Sequence, residues 1–95
     1  MYALFIEVNA TESNIEAARE VLPQFAVPAA REGGAKGGYW LAPRGGRGVA
    51  VLVFETEEEA QKAAAMLQVG QPPMPQAPEG VTVKTVEVCE VLAEL

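Results

Sequence analysis

One carboxylate stands inside an apolar run: Glu7 interrupts Tyr2-Ala3-Leu4-Phe5-Ile6-Glu7-Val8. Enclosed by apolar neighbours, such a group can act as a general base toward an acidic phenol or enol. Lying near the end of its strand, it would instead reach water or an arginine. Asn9, just past the strand, by default bonds its own backbone in a turn, with a ligand contact as the other reading. Trp40 has the ring to stack on an aromatic ligand and one indole donor, and equally the bulk to serve as packing. Tyr39 precedes it on the same strand and therefore faces the other way, so at most one of the two lines a given pocket. The expected site thus has Glu7 and Asn9 as catalytic residues and Trp40, Tyr39, Phe5 and Phe54 as ligand-binding residues. A pocket filled instead by Phe5, Phe25 and Phe54 would leave a module that only associates or senses.

Other candidates have plainer readings. Arg44 and Arg47 flank Gly45-Gly46 and suit either a carboxylate clamp or solvated turn charges. Cys89 is the single cysteine and has no histidine to activate it, since the chain contains none. The same composition excludes imidazole catalysis and imidazole metal ligation, and neither a metal nor a cofactor is expected. Gly33-Gly34-Ala35-Lys36-Gly37-Gly38 precedes a strand rather than opening a helix, so it lacks the ring of helix amides that cradles phosphate. Glu57-Glu58-Glu59 reads as a helix start, because consecutive helical residues diverge around the axis.

A net charge of -6 and a pI near 4.5 oppose nucleic-acid and anionic-membrane partners, which need clustered Lys and Arg. A lone cysteine suits a reducing, cytoplasmic setting. The opening residues lack a basic lead-in and are broken by Glu7, which reads as a strand and not a signal peptide.

The elements that must position these residues follow from periodicity. Tyr2 to Val8 alternates as a strand. Ser13 to Glu16 has capping-box spacing, and Ile15, Ala18, Leu22, Phe25, Ala26 and Ala29 form a helical stripe. Pro23 and Pro28 should kink that helix or break it in two, with Gly33-Gly34 ending it. Gly38–Pro43 and Gly48–Phe54 form a hairpin around Arg44-Gly45-Gly46-Arg47, where the glycines supply positive φ. Thr56 and Glu59 cap a second helix with the stripe Ala60, Ala63, Ala64 and Leu67, stopping at Gly70. Gln71 to Gly80 is a proline-rich surface connector. Val81 to Leu92 is a long strand whose apolar face shifts between Val81/Val83 and Val86/Val88, the mark of a bulge. Its charges, like Pro43 in the second strand, suit sheet edges.

The expected architecture is a single α+β domain over residues 1–95. Its order is ferredoxin-like βαββαβ: a four-stranded antiparallel sheet with both helices on one face. Between Gly48 and Phe54 neither face of the strand carries a polar residue. One helical layer cannot cover both, so a second copy of the chain is expected on the other side.

Met1-Tyr2-Ala3-Leu4-Phe5-Ile6-Glu7-Val8, Gly38-Tyr39-Trp40, Val53 to Ala60 and Val86 to Val91 together resemble the dimeric α+β barrel superfamily, in particular small antibiotic-biosynthesis-monooxygenase-like domains. The resemblance spans nearly the whole chain and contains no catalytic signature. It implies sheets packed face to face across a two-fold axis, with a pocket in each protomer between sheet and helices. It also implies a range of activities, from cofactor-independent oxygenases acting on quinol-like aromatics to haem-degrading enzymes, decarboxylases, isomerases and proteins without activity. The haem-degrading branch is a poor match without histidine. The oxygenase branch places an asparagine and a tryptophan beside the substrate, for which Asn9 and Trp40 are the nominees. The function so implied is binding of a small apolar or aromatic metabolite, with cofactor-independent monooxygenation as its catalytic form, and a non-catalytic dimerisation or ligand-sensing module as the alternative.

Overall fold

The computed structural model describes residues 1–95. Its elements run β1 (Tyr2–Asn9), α1 (Ile15–Val21), α2 (Val27–Glu32), β2 (Gly37–Trp40), β3 (Arg47–Phe54), α3 (Glu57–Ala65) and β4 (Thr82–Glu90). The strands form one antiparallel sheet in the order β2-β3-β1-β4. The two most apolar strands are central and the two with proline or charges nearby are edges, an α+β arrangement compatible with a ferredoxin-like fold. No helix is long and apolar enough to cross a membrane.

The β2–β3 hairpin closes as the glycine pair requires. Gly45 and Gly46 take φ of 64° and 82°, and Arg44 and Arg47 exchange backbone hydrogen bonds of 2.8 and 3.3 Å across them. The second strand of the pair begins one residue earlier than expected, at Arg47, whereas β2 ends at Trp40; the Leu41 N–H still donates to the Val49 carbonyl (2.8 Å), and Ala42 and Pro43 lie beyond the pairing. Proline has no N–H to offer a strand, so the pairing ends before it. Where β4 meets β1 the register slips between Glu7 and Val8, which is the bulge that the shifting apolar face of β4 foretold.

Both helix starts are capped, one of them by different residues than expected. The Thr11 N–H donates to Asn14 Oδ1 (2.9 Å) and the Asn14 N–H to the Thr11 carbonyl (2.9 Å), so a short 3-10 turn, Glu12–Asn14, leads into α1 and Ser13 is inside it. An asparagine can close the box at that offset as well as a glutamate can. At α3 the box is as expected, with the Glu59 N–H donating to Thr56 Oγ1 at 3.1 Å. This helix ends at Ala65, short of Gly70; Gly70 belongs to the next turn, at φ 89°.

Between α1 and α2, Leu22–Ala26 forms a π-helical turn in which the Val27 N–H reaches back to the Leu22 carbonyl. Pro23 and Pro28 each remove a donor that regular α-helix would use, and the widened turn accommodates the loss. The kink or break expected at these prolines is replaced by a π turn, through which the helix runs on from Ile15 to Glu32.

All of these helices lie over one face of the sheet. Leu4, Ile6, Ala50, Leu52, Phe54 and Ala60 form the core, with Val86, Val88, Ala63, Ala64 and Leu67 packed around it. The small stripe of α3 brings it down onto β1 and β4, and Ala60 is completely enclosed. In contrast, α1, the π turn and α2 contribute no buried residue. Only 10 of 95 residues are buried, a core kept thin by that stand-off and by the uncovered second face.

Gly38 tests the closeness of the hairpin. A Cβ there would lie 2.7 Å from both Leu52 Cδ2 and the Val51 carbonyl oxygen, while one on Gly37 would meet nothing within 4 Å. Gly38→Ala should therefore lower stability by about 1–3 kcal/mol and Gly37→Ala leave it nearly unchanged, read from urea denaturation midpoints.

Candidate functional site

Because the helical stripe Ala18, Leu22, Phe25, Ala26 and Ala29 stands away from the sheet, it roofs a cavity of about 930 Å³. The floor is the helix-side face of the sheet, including Leu4, Ile6, Ala50, Leu52, Phe54 and Trp40. Ala63, Met66 and Leu67 of the α3 segment form one wall, and residues 71–78 close the far end. The proline-rich segment is therefore part of the site, contrary to its expected role as a mere surface connector. Its start is tied to β4, with Gly70 N–H donating to the Val83 carbonyl and Val83 N–H to the Gln71 carbonyl, both at 2.8 Å. Prolines show apolar ring faces without backbone donors, a property that composition alone does not distinguish from a solvated linker.

A second hollow of about 650 Å³ runs between α1 and β2, lined by Ile15, Leu22, Val27 and Tyr39–Pro43. It shares Ala18, Leu22, Trp40, Leu41 and Pro43 with the larger cavity, so Trp40 stands where the two meet. Trp40 pairs with Ala50 in the ladder, which fixes its ring on the helix side, and it is half-buried there. Phe54 is also on this side, wholly buried in the floor.

The remaining nominees lie elsewhere. Glu7, opposite Val49, and Phe5, opposite Val51, point to the face that carries no helices; Tyr39, also opposite Val51 and 75% exposed, belongs to that face but, at the sheet edge, borders the smaller hollow together with Trp40, so the expectation that only one of the two would line a given pocket does not hold there. Strand alternation makes this unavoidable: residues at odd offsets from Leu4 and Ile6 cannot share their face. The proposed grouping of Glu7, Asn9 and Trp40 in one pocket is thereby corrected, and Phe5 does not fill the cavity.

Glu7 also lacks the apolar enclosure that the base reading needs. Its Oε2 lies 3.0 Å from Arg47 Nε and 3.7 Å from Lys84 Nζ, with its side chain 15% exposed against 52% and 55% for the two cations. The bulge in β4 carries Lys84 to this position. The alternative in which Glu7 reaches an arginine is the one realised. Asn9 makes no turn bond; its Nδ2 donates to Thr82 Oγ1 at 3.2 Å across the β1–β4 pair. Arg44 stays in the hairpin turn, Cys89 is an exposed free thiol, and no cluster of three or more acidic or thiol side chains is arranged to hold a metal.

No protein-family model matches the chain, and neither does any curated protein or solved structure. Chemical reading therefore rests on the two faces of the sheet: a roofed, mainly apolar cavity whose lining includes the Trp40 indole and the polar side chains of Asn14, Glu32, Lys62, Gln71 and Gln76 on one side, and an uncovered surface bearing an Arg47–Glu7–Lys84 cluster on the other.

Removing the shared carboxylate leaves two neighbouring cations uncompensated. Glu7→Gln should cost about 1 kcal/mol of stability at low salt, a small value because both cations are half in water. The difference between Glu7→Gln and the parent protein should shrink at high salt, as screening weakens the pairs; denaturation at two ionic strengths checks both.

Proposed function

We propose that the chain is a homodimer that binds a small apolar or aromatic metabolite in the cavity beneath the α1–α2 segment. The observation that carries this reading is the stand-off of that segment. An amphipathic helix ordinarily buries its stripe, yet here Leu22, Phe25 and Ala26 line open space above an apolar floor. Pockets of several hundred Å³ with apolar walls and few polar groups are the usual form of small-molecule sites. A π turn in the roof is consistent, since such turns recur at functional sites. Trp40 supplies an aromatic face and a donor for orientation.

The dimer reading is supported by the other face. Ala3, Phe5, Val49, Val51, Val53 and Tyr39 present apolar surface that no element of the chain covers. A patch of this kind marks an interaction site. The charges on it, Glu7 and Glu87 against Arg47 and Lys84, balance, while the chain as a whole carries -6. A balanced surface is suited to meeting its own copy, where like surfaces must tolerate one another.

Of the two functional classes, binding or sensing is favoured over cofactor-independent monooxygenation. Glu7 and Asn9, the groups nominated for proton transfer, face away from the cavity, and the specific observation for the non-catalytic reading is that Glu7 is occupied by two cations. Membership of the dimeric α+β barrel superfamily is proposed on the same basis, from strand order and the uncovered apolar face.

Trp40 is the single tryptophan and reports directly on the cavity. Titration with 2-naphthol should quench its fluorescence saturably, Ala26→Phe should weaken binding about tenfold or more by filling the roof, and Glu7→Gln should leave it unchanged. Quenching that rises linearly without saturation would remove the binding reading. Sedimentation at micromolar concentration should report twice the protomer mass of 10.1 kDa, and a lone protomer would remove the dimer.

A further inference from the structure

Two copies of one sheet can meet face to face about a two-fold axis in two simple ways. With the axis along the strands, each row of side chains faces the same row of the partner, β4 lying over β2. With the axis across the strands, β4 lies over β4 and the rows are exchanged end for end. The open face has four rows, fixed by the ladder: Asn9 with Arg47 and Thr82; Glu7 with Val49 and Thr85; Phe5 with Val51, Tyr39 and Glu87; Ala3 with Val53, Gly37 and Cys89.

The charges discriminate between these arrangements. Lys84, turned onto this face by the bulge and held by Glu7, sits at the β4 side of the second row, and Glu87 sits at the β4 side of the third. An axis along the strands would lay Lys84 and Glu87 over the β2 side of the partner, where Tyr39 and the end of β2 offer no opposite charge. An axis across the strands exchanges the second row with the third, so that Lys84 meets the partner's Glu87 and Glu87 meets the partner's Lys84. Lys84 keeps Glu7 in either arrangement, but Glu87 forms no ion pair within its own chain; a charge covered without a partner is costly, and oppositely signed juxtaposition fixes register. Building on the homodimer proposed above, we infer that the Lys84–Glu87 charge pattern sets a strand-reversed pairing of the two sheets, with β4 against β4 and two symmetry-related ion pairs between copies. Glu7 then has a second role: it orients Lys84 on the face before the partner arrives.

The native thiol supplies a direct test. Cys89 is the only cysteine and lies in the Ala3 row, which the end-for-end exchange places over the Asn9 row of the partner. In Thr82→Cys, a short bismaleimide should crosslink the two chains into a covalent dimer. Gly37→Cys, whose new thiol shares a row with Cys89 and would face it only with the axis along the strands, should give little product. In parallel, Lys84→Glu and Glu87→Lys should each weaken self-association about tenfold, and the doubly reversed variant should recover to within about threefold of the parent, measured by sedimentation equilibrium. Glu87→Lys leaves the Glu7 pairs in place, so its effect is independent of any folding defect in Lys84→Glu. Efficient crosslinking at position 37 in place of position 82, or single reversals without effect on association, would overturn this pairing while leaving the homodimer intact. A monomer at every concentration would overturn the homodimer and, with it, the pairing.

Discussion

The sheet of this protein is apolar on both faces, and its chain supplies one layer of helices. Every other feature follows from that imbalance. On the covered side Leu4, Ile6, Leu52 and Phe54 find α3 and a core; on the other, Phe5, Val49, Val51 and Val53 find only each other. Apolar surface left in water is unfavourable in proportion to its area, and in this chain of 95 residues one face of the sheet is left so.

The covered side is itself divided. Alanines at 60, 63 and 64 let α3 settle closely on the strands, while the bulkier segment from Ile15 to Glu32 rides higher. Its two prolines take donors from the helix, and the π turn widens the backbone at the point where Leu22 and Phe25 project toward the sheet. The resulting space is continuous from the β2 edge, past Trp40, to the proline-rich segment. A close-packed small domain would have collapsed onto it.

The two faces also differ in what they can do. An indole is the one polar handle at the junction of the two hollows, suited to orienting a ligand rather than to moving protons. Ionic chemistry is concentrated on the opposite surface, where Glu7 ties together Arg47 from β3 and Lys84 from β4. There it links the two central strands to each other and to the β4 edge. A carboxylate within an apolar strand is in this case a device of the surface and not of the cavity.

Much of this was legible in the residues alone. Alternation in Tyr2–Asn9 and Arg47–Phe54, the glycine pair at 45 and 46, the Thr56–Glu59 box and the shifting apolar face of β4 determine the element order, the central and edge strands, the hairpin turn and the bulge, because each depends on neighbours a few residues apart. Strand alternation also separates Trp40 from Tyr39 before any coordinates exist. What periodicity leaves open is which of two apolar faces receives the helices, since Leu4 and Phe5 are equally suited to burial. That choice, settled by long-range packing of α3 against β1 and β4, sent Glu7 and Asn9 to one side and Trp40 and Phe54 to the other. The height of the first helical segment, the inward turn of residues 71–78 and the capture of Glu7 by two cations were likewise decided only in three dimensions, because each joins residues tens of positions apart.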